Sequence, residues 1–126
     1  MSLTAVGPLI FVSYAREDKE LCRRLVLMLG LVLKARGYEV WWDQAMAAGA
    51  WRDQLEGTLQ QAVAGVLLVS EYSLTSQFVL EEELPELQAR GPVAPVYGRP
   101  CPWESVPAIA RLQFLGSTEK ALAEMD

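Results

Sequence analysis

Three short segments of the chain, residues 9–13 (LIFVS), 65–70 (GVLLVS) and 92–97 (PVAPVY), are apolar on nearly every residue instead of on every second one. A strand with one face in water alternates apolar and polar residues. A strand covered on both faces does not need to, and in practice such strands belong to parallel sheets sandwiched between helices. This pattern constrains the fold more than any other feature of the chain. Residues 38–43 (YEVWWD) and the short LQFL of residues 112–115 complete a set of five expected strands.

Segments of helical periodicity separate these strands. Residues 18–36 are expected to form a helix with acidic residues in its first turn, where the helix dipole favours them, and Gly37 as its stop. After a small-residue loop, QAMAAGA at residues 44–50, the apolar spacing of Trp51, Leu55, Leu59 and Ala62 marks a second helical face. A third helix carries three consecutive glutamates in SQFVLEEELPEL, residues 76–87. Strands alternating with helices define an α/β class. In such sheets ligands bind beyond the carboxyl ends of the strands, which here are residues 13–18, 43–51, 70–78 and 97–101.

The chain has 126 residues, enough for one core and too few for two. A net charge of −5, with 11 scattered basic residues, gives no electrostatic footprint for nucleic acid or an anionic membrane. The longest apolar run, LVLMLGLVL at residues 25–33, is half of the roughly 20 residues a bilayer span requires. No secretion signal is legible in MSLTAVG. Cys22 and Cys101, with no histidine in the chain, do not suggest a zinc site. They read as two reduced thiols of a cytoplasmic protein.

The motifs of several common α/β occupants are missing. There is no GxGxxG behind the first strand and no GxxxxGK[ST], so neither a dinucleotide turn nor a phosphate cradle is supported. A receiver domain needs a phosphate-accepting aspartate at the end of its third strand, where this chain has Ser70. A serine nucleophile has no histidine base. A carboxylate remains. On a helical wheel of about 100° per residue, Leu80, Leu84 and Leu87 share the core face and Glu82 points into water. Glu81 and Glu83 fall on the two flanks, and this geometry alone does not choose between them. Pro85 cannot donate to the carbonyl of Glu81, so the helix is expected to bend or restart there.

Read in order, FVSYAREDKE, GYEVWWD with Gly49 and Trp51 behind it, LLVSEYSLTSQF, EELP, RPCPWE and RLQFL resemble the Toll/interleukin-1 receptor (TIR) domain family, particularly its bacterial branch. The resemblance spans residue 9 to about residue 115 and implies one TIR domain over residues 1–126, excised from a longer protein. It implies a flavodoxin-like, three-layer α/β fold with a five-stranded parallel sheet in the order 2-1-3-4-5. Members of the family either signal through TIR–TIR assembly or cleave the nicotinamide–ribose bond of NAD+. In the enzymes an essential glutamate follows an aromatic residue on the helix after the third strand. Phe78 and the Glu83-Leu84 pair match that pattern, so the resemblance implies Glu83 as the catalytic residue, with Glu82 the alternative register. It further implies that Tyr14 and Arg16 flank the dinucleotide, that Trp51 borders the nicotinamide and that Asp43 stands at the mouth of the second loop. The chain departs from many enzymatic relatives at Phe78-Val79, where they carry tryptophan-cysteine, and in the uncharged QAMAAGA loop.

The implied function is an NAD+ glycohydrolase, the effector of a bacterial anti-phage defence protein, activated by self-association. NAD+ is its substrate, and no metal or cofactor is needed. The alternative is a non-catalytic TIR scaffold; a nucleoside deoxyribosyltransferase-like enzyme, which would form a covalent sugar adduct, comes third. One further expectation concerns the first helix. Leu21, Leu25, Met28, Leu29 and Val32 would form its core stripe, leaving Leu27 and Leu31 as a second apolar face for another subunit or domain.

Overall fold

A computed structural model of the protein describes residues 8–42 and 61–125. Its centre is a parallel sheet of four strands: β1 (Leu9–Ser13), β2 (Glu39–Trp41), β3 (Ala62–Val69) and β4 (Val93–Tyr97), in the order β2-β1-β3-β4. Among the described residues there is no fifth strand, which corrects the five-stranded expectation. LQFL contributes a single parallel bridge, Val96 to Leu115, next to Gly116 with its positive φ of 78°. A left-handed glycine and an exposed Leu115 end the pairing before a ladder can form.

The apolar strands are covered on both sides, as their composition requires. Phe11, Leu67 and Val69 face one helical layer, where they join Val79, Leu84, Leu87 and Ile109. Ile10, Val12, Val66 and Leu68 face the other layer, where they meet Leu21, Cys22 and Leu25 of α1 (Lys19–Ala35). Successive side chains of a strand point to opposite faces, so a run without polar alternation fills both cores at once. Gly37, at φ 88°, stops α1 and turns the chain into β2.

The third helical stretch is broken into pieces. α2 (Glu71–Leu74) follows β3, a π-helical segment spans Phe78–Glu83, and α3 (Leu84–Arg90) runs on to Gly91. β3 also begins at Ala62, three residues earlier than the sequence pattern places it, so Ala62 pairs with Leu9 and does not end a helix. α4 (Pro107–Ala110) lies behind β4 and supplies Ile109 to the core.

α3 lies close to β3. A Cβ on Gly91 would stand 2.1 Å from the carbonyl oxygen of Val63, and backbone cannot swing aside as a side chain can. Gly91→Ala is therefore expected to destabilise the domain by about 1–3 kcal/mol through overpacking. Urea denaturation reads this directly, and an unchanged midpoint would show that the approach is not tight.

The first helix corrects the expected stripe. Leu21, Cys22 and Leu25 are buried, and Val26, Leu29 and Leu33 pack beside them, but Met28 and Val32 are half exposed. They lie with Leu27 and Leu31, which are 67% and 81% exposed, on one uncovered apolar face. The core-facing stripe is rotated toward Cys22 and Val26, so the helix has two separate apolar faces.

Candidate functional site

The connection from β1 to β2 runs through α1 on one face of the sheet, while the π segment and α3, between β3 and β4, cover the other. Chain order therefore reverses between β1 and β3, and the crevice of the fold opens at their carboxyl ends. The residues there are Ser13 of β1 and Ser70 after β3.

The π segment decides how the three glutamates are presented. Leu84 N–H bonds to the Val79 carbonyl, a step of five residues instead of four. Pro85 follows in the first turn of α3, where a missing N–H costs nothing. The backbone stays helical through Glu83 and Leu84, so the break expected at Pro85 is instead a change of winding from π to α. One wide turn also changes the rotation of every residue in it. Glu81 and Glu82 are exposed, whereas Glu83 is buried at 8% exposure beside Val79 and Leu84. A regular wheel put Glu81 and Glu83 on equivalent flanks; the π turn separates them.

Ser13 Oγ donates a hydrogen bond to Glu83 Oε1 at 2.5 Å. Ser13 is itself buried and closes β1 on the side of Phe11, whose ring stacks on Trp41 at 5.0 Å with 22° between planes. Glu83 is thus bonded to the carboxyl end of β1, two residues beyond the stacked Phe11, a ring pair that the sequence pattern does not single out.

The other expected site residues lie as follows. Tyr14 is half-buried against the core on the α1 side, its ring 5.8 Å from that of Trp42, and the Arg23 guanidinium stands 5.8 Å over Trp42. Arg16 is exposed at the start of the 3-10 turn Arg16–Asp18. Asp43 and Trp51 lie outside the described residues.

A second polar cluster was not legible in the sequence. Asp18 is fully buried, accepts from Ser70 Oγ through Oδ2, and forms an ion pair from Oδ1 to Arg99 Nε at 2.6 Å. Its partner is thus Arg99, not the neighbouring Arg16. Ser70 also caps α2, accepting from the N–H groups of Tyr72 and Ser73, and the Arg99 guanidinium stands 6.0 Å from the Tyr72 ring centre. Three of the four loops at the carboxyl end of the sheet are tied together by this buried carboxylate.

Neither thiol is poised as a nucleophile. Burial first, and the charge of Asp18 second, push Cys22 up to about 12. Burial first, and Glu71 next, push Cys101 up to about 11. Both stay protonated at neutral pH, and the thiol is the unreactive form. Among the described residues no group of three or more His, Cys, Asp or Glu side chains is placed to hold a metal ion, and no described helix is long and apolar enough to cross a membrane.

Fold and site together define a flavodoxin-like α/β domain with two buried carboxylates at the carboxyl end of its sheet, Asp18 bonded to Ser70 and Arg99 and Glu83 bonded to Ser13. The sequence profile of the TIR domain matches residues 10–125, so the chain belongs to the TIR domain family. Among solved structures it is similar to the TIR domain of the Toll-related receptor TRR-2 from Hydra magnipapillata. The TM-score is 0.55 at 15% identity, over 73% of this chain and 71% of that one. No curated protein sequence matches the chain. At that identity the likeness speaks for the fold alone.

Proposed function

We propose that this TIR domain hydrolyses the nicotinamide–ribose bond of NAD+ with Glu83 as the catalytic carboxylate. The observation that carries the reading is the burial of Glu83, alone among the three glutamates, with its carboxylate held at the end of β1 by Ser13. Nicotinamide departs from NAD+ as a neutral molecule, taking the electron pair of the C1′–N bond, so no general acid is needed. What the reaction demands is stabilisation of the oxocarbenium-like ribosyl cation and a grip on the ribose hydroxyls. An ionised carboxylate beside the sugar supplies both, as in glycosidases. Water then adds to C1′ and releases a proton to solvent. Tyr14, Arg16, Asp43 and Trp51 are proposed to bind the dinucleotide.

TIR domains interact with other TIR domains, and we read activity here as dependent on self-association in the cytoplasm of a bacterium, within a defence protein. The uncovered face of Leu27, Met28, Leu31 and Val32 favours an associating surface. It serves a non-catalytic scaffold equally well, so nicotinamide release is the discriminating measurement. Turnover per molecule is expected to rise with protein concentration, and its absence from concentrated, associated protein would leave the scaffold reading. Leu27→Glu with Leu31→Glu is expected to leave folding intact, shift the protein to monomer in sedimentation and lower turnover at least about tenfold, since charge at an apolar contact forbids its burial. Unchanged association would remove α1 from the interface.

A further inference from the structure

Resting on the reading of Glu83 as the reacting carboxylate, we infer that Ser13 is a positioning residue that fixes the plane of the Glu83 carboxylate for the reaction. The argument begins with what a serine is doing at this place. Residues Leu9, Ile10, Phe11 and Val12 are all apolar, and β1 lies in the interior of the sheet between β2 and β3. A buried hydroxyl there is a liability unless it is bonded. Ser13 is 1% exposed, and its hydroxyl donates across 70 residues of sequence to Glu83.

The acceptor explains the need. The last torsion of a glutamate is broad and roughly two-fold, unlike its staggered inner torsions, so burial of the stem does not by itself orient the two oxygens. Bonding Oε1 to a hydroxyl on a central strand fixes the carboxylate plane, and with it the position of Oε2. The anchor lies on an interior strand of the sheet, and the π segment carries the glutamate that meets it. Ser13 acts through Glu83 and is not itself a group that meets the sugar.

The test compares Ser13→Ala, Ser13→Thr and Glu83→Gln with the parent chain in NAD+ turnover, each checked for cooperative unfolding. Loss of the anchor is expected to lower kcat by about 10- to 100-fold and to leave KM within about threefold, because the dinucleotide is proposed to be held mainly by Tyr14, Arg16, Asp43 and Trp51, whereas the orientation of the carboxylate matters most in the transition state. Ser13→Thr, which keeps the hydroxyl on a β-branched side chain suited to a strand, is expected to restore most of kcat. A merely structural serine would not give this split. Retention of kcat in Ser13→Ala, a loss confined to KM, or no rescue by a folded Ser13→Thr would overturn the inference.

Glu83→Gln separates this failure from that of the underlying reading. An active Glu83→Gln protein defeats the catalytic role of Glu83, whereas an inactive one beside an unaffected Ser13→Ala defeats only the role of Ser13. Should the parent chain release no nicotinamide, difference infrared spectra of protein carrying 13C-carboxyl glutamate still read the bond. Ser13→Ala is expected to shift one carboxylate stretching band, and an unshifted spectrum overturns the anchor.

Discussion

Glu83→Gln should lose nicotinamide release by on the order of 10³-fold or more, about 4 kcal/mol of transition-state stabilisation, while remaining folded. Glutamine has nearly the same volume and keeps an oxygen that can accept from Ser13, so the substitution removes the charge and little else. Charge is what the ribosyl cation requires, and a neutral amide offers only its dipole. Glu81→Gln and Glu82→Gln are the internal controls. Both side chains are exposed, where their fields are screened by water and salt, and each variant should stay within about twofold of the parent. The measurement is nicotinamide release at a protein concentration where the parent chain is active. A Glu83→Gln protein that turns over like its parent would end the carboxylate mechanism. Equal losses in all three variants would mean that the site reads overall acidity and not one oriented group.

The sheet was legible in the sequence because burial on both faces is a local property: LIFVS is a strand in the sequence pattern and β1 occupies those same residues. The fifth strand was not, because LQFL resembles a strand internally, whereas pairing depends on the neighbouring Gly116 and on what β4 offers. The glutamates show a subtler limit. A wheel assumes one rotation per residue, and it fails where Pro85 and the π turn change the winding. The family motif singles out Glu83 by pattern, and the fold buries that glutamate while leaving Glu81 and Glu82 exposed. What no periodicity could supply were the long-range partners. Ser13 meets Glu83 across 70 residues and Asp18 meets Arg99 across 81, and both aspartate and arginine look like ordinary surface charges in AREDKE and YGRP.

That last pair carries the largest expected effect on stability. Asp18 is wholly buried, and its charge is balanced by Arg99 and the Ser70 hydroxyl. Arg99→Ala leaves a buried carboxylate with one neutral partner, and the expected loss is on the order of 3 kcal/mol. This is the lower end of the range for uncovering a buried charge, because Arg99 keeps a third of its side-chain surface in water. For a domain with a total stability of about 5–15 kcal/mol this is a large fraction. Removing the charge as well should recover much of the loss: in Asp18→Asn with Arg99→Ala the amide still accepts from Ser70 and no ion is stranded, so the two changes should be markedly less than additive. Urea midpoints of the two single variants and the double variant, at constant m, give the coupling. Strict additivity, or an Arg99→Ala protein within about 0.5 kcal/mol of the parent, would make the pair a surface contact of the kind that contributes little. The network has a consequence beyond stability, since Asp18 ends the turn that begins at Arg16, two residues after Tyr14, Ser70 caps α2 ahead of the π segment, and Arg99 follows β4. A loosened Asp18 frees the loops that frame the crevice before the sheet itself gives way, so turnover in Arg99→Ala should fall at temperatures where far-ultraviolet dichroism still reports a folded protein.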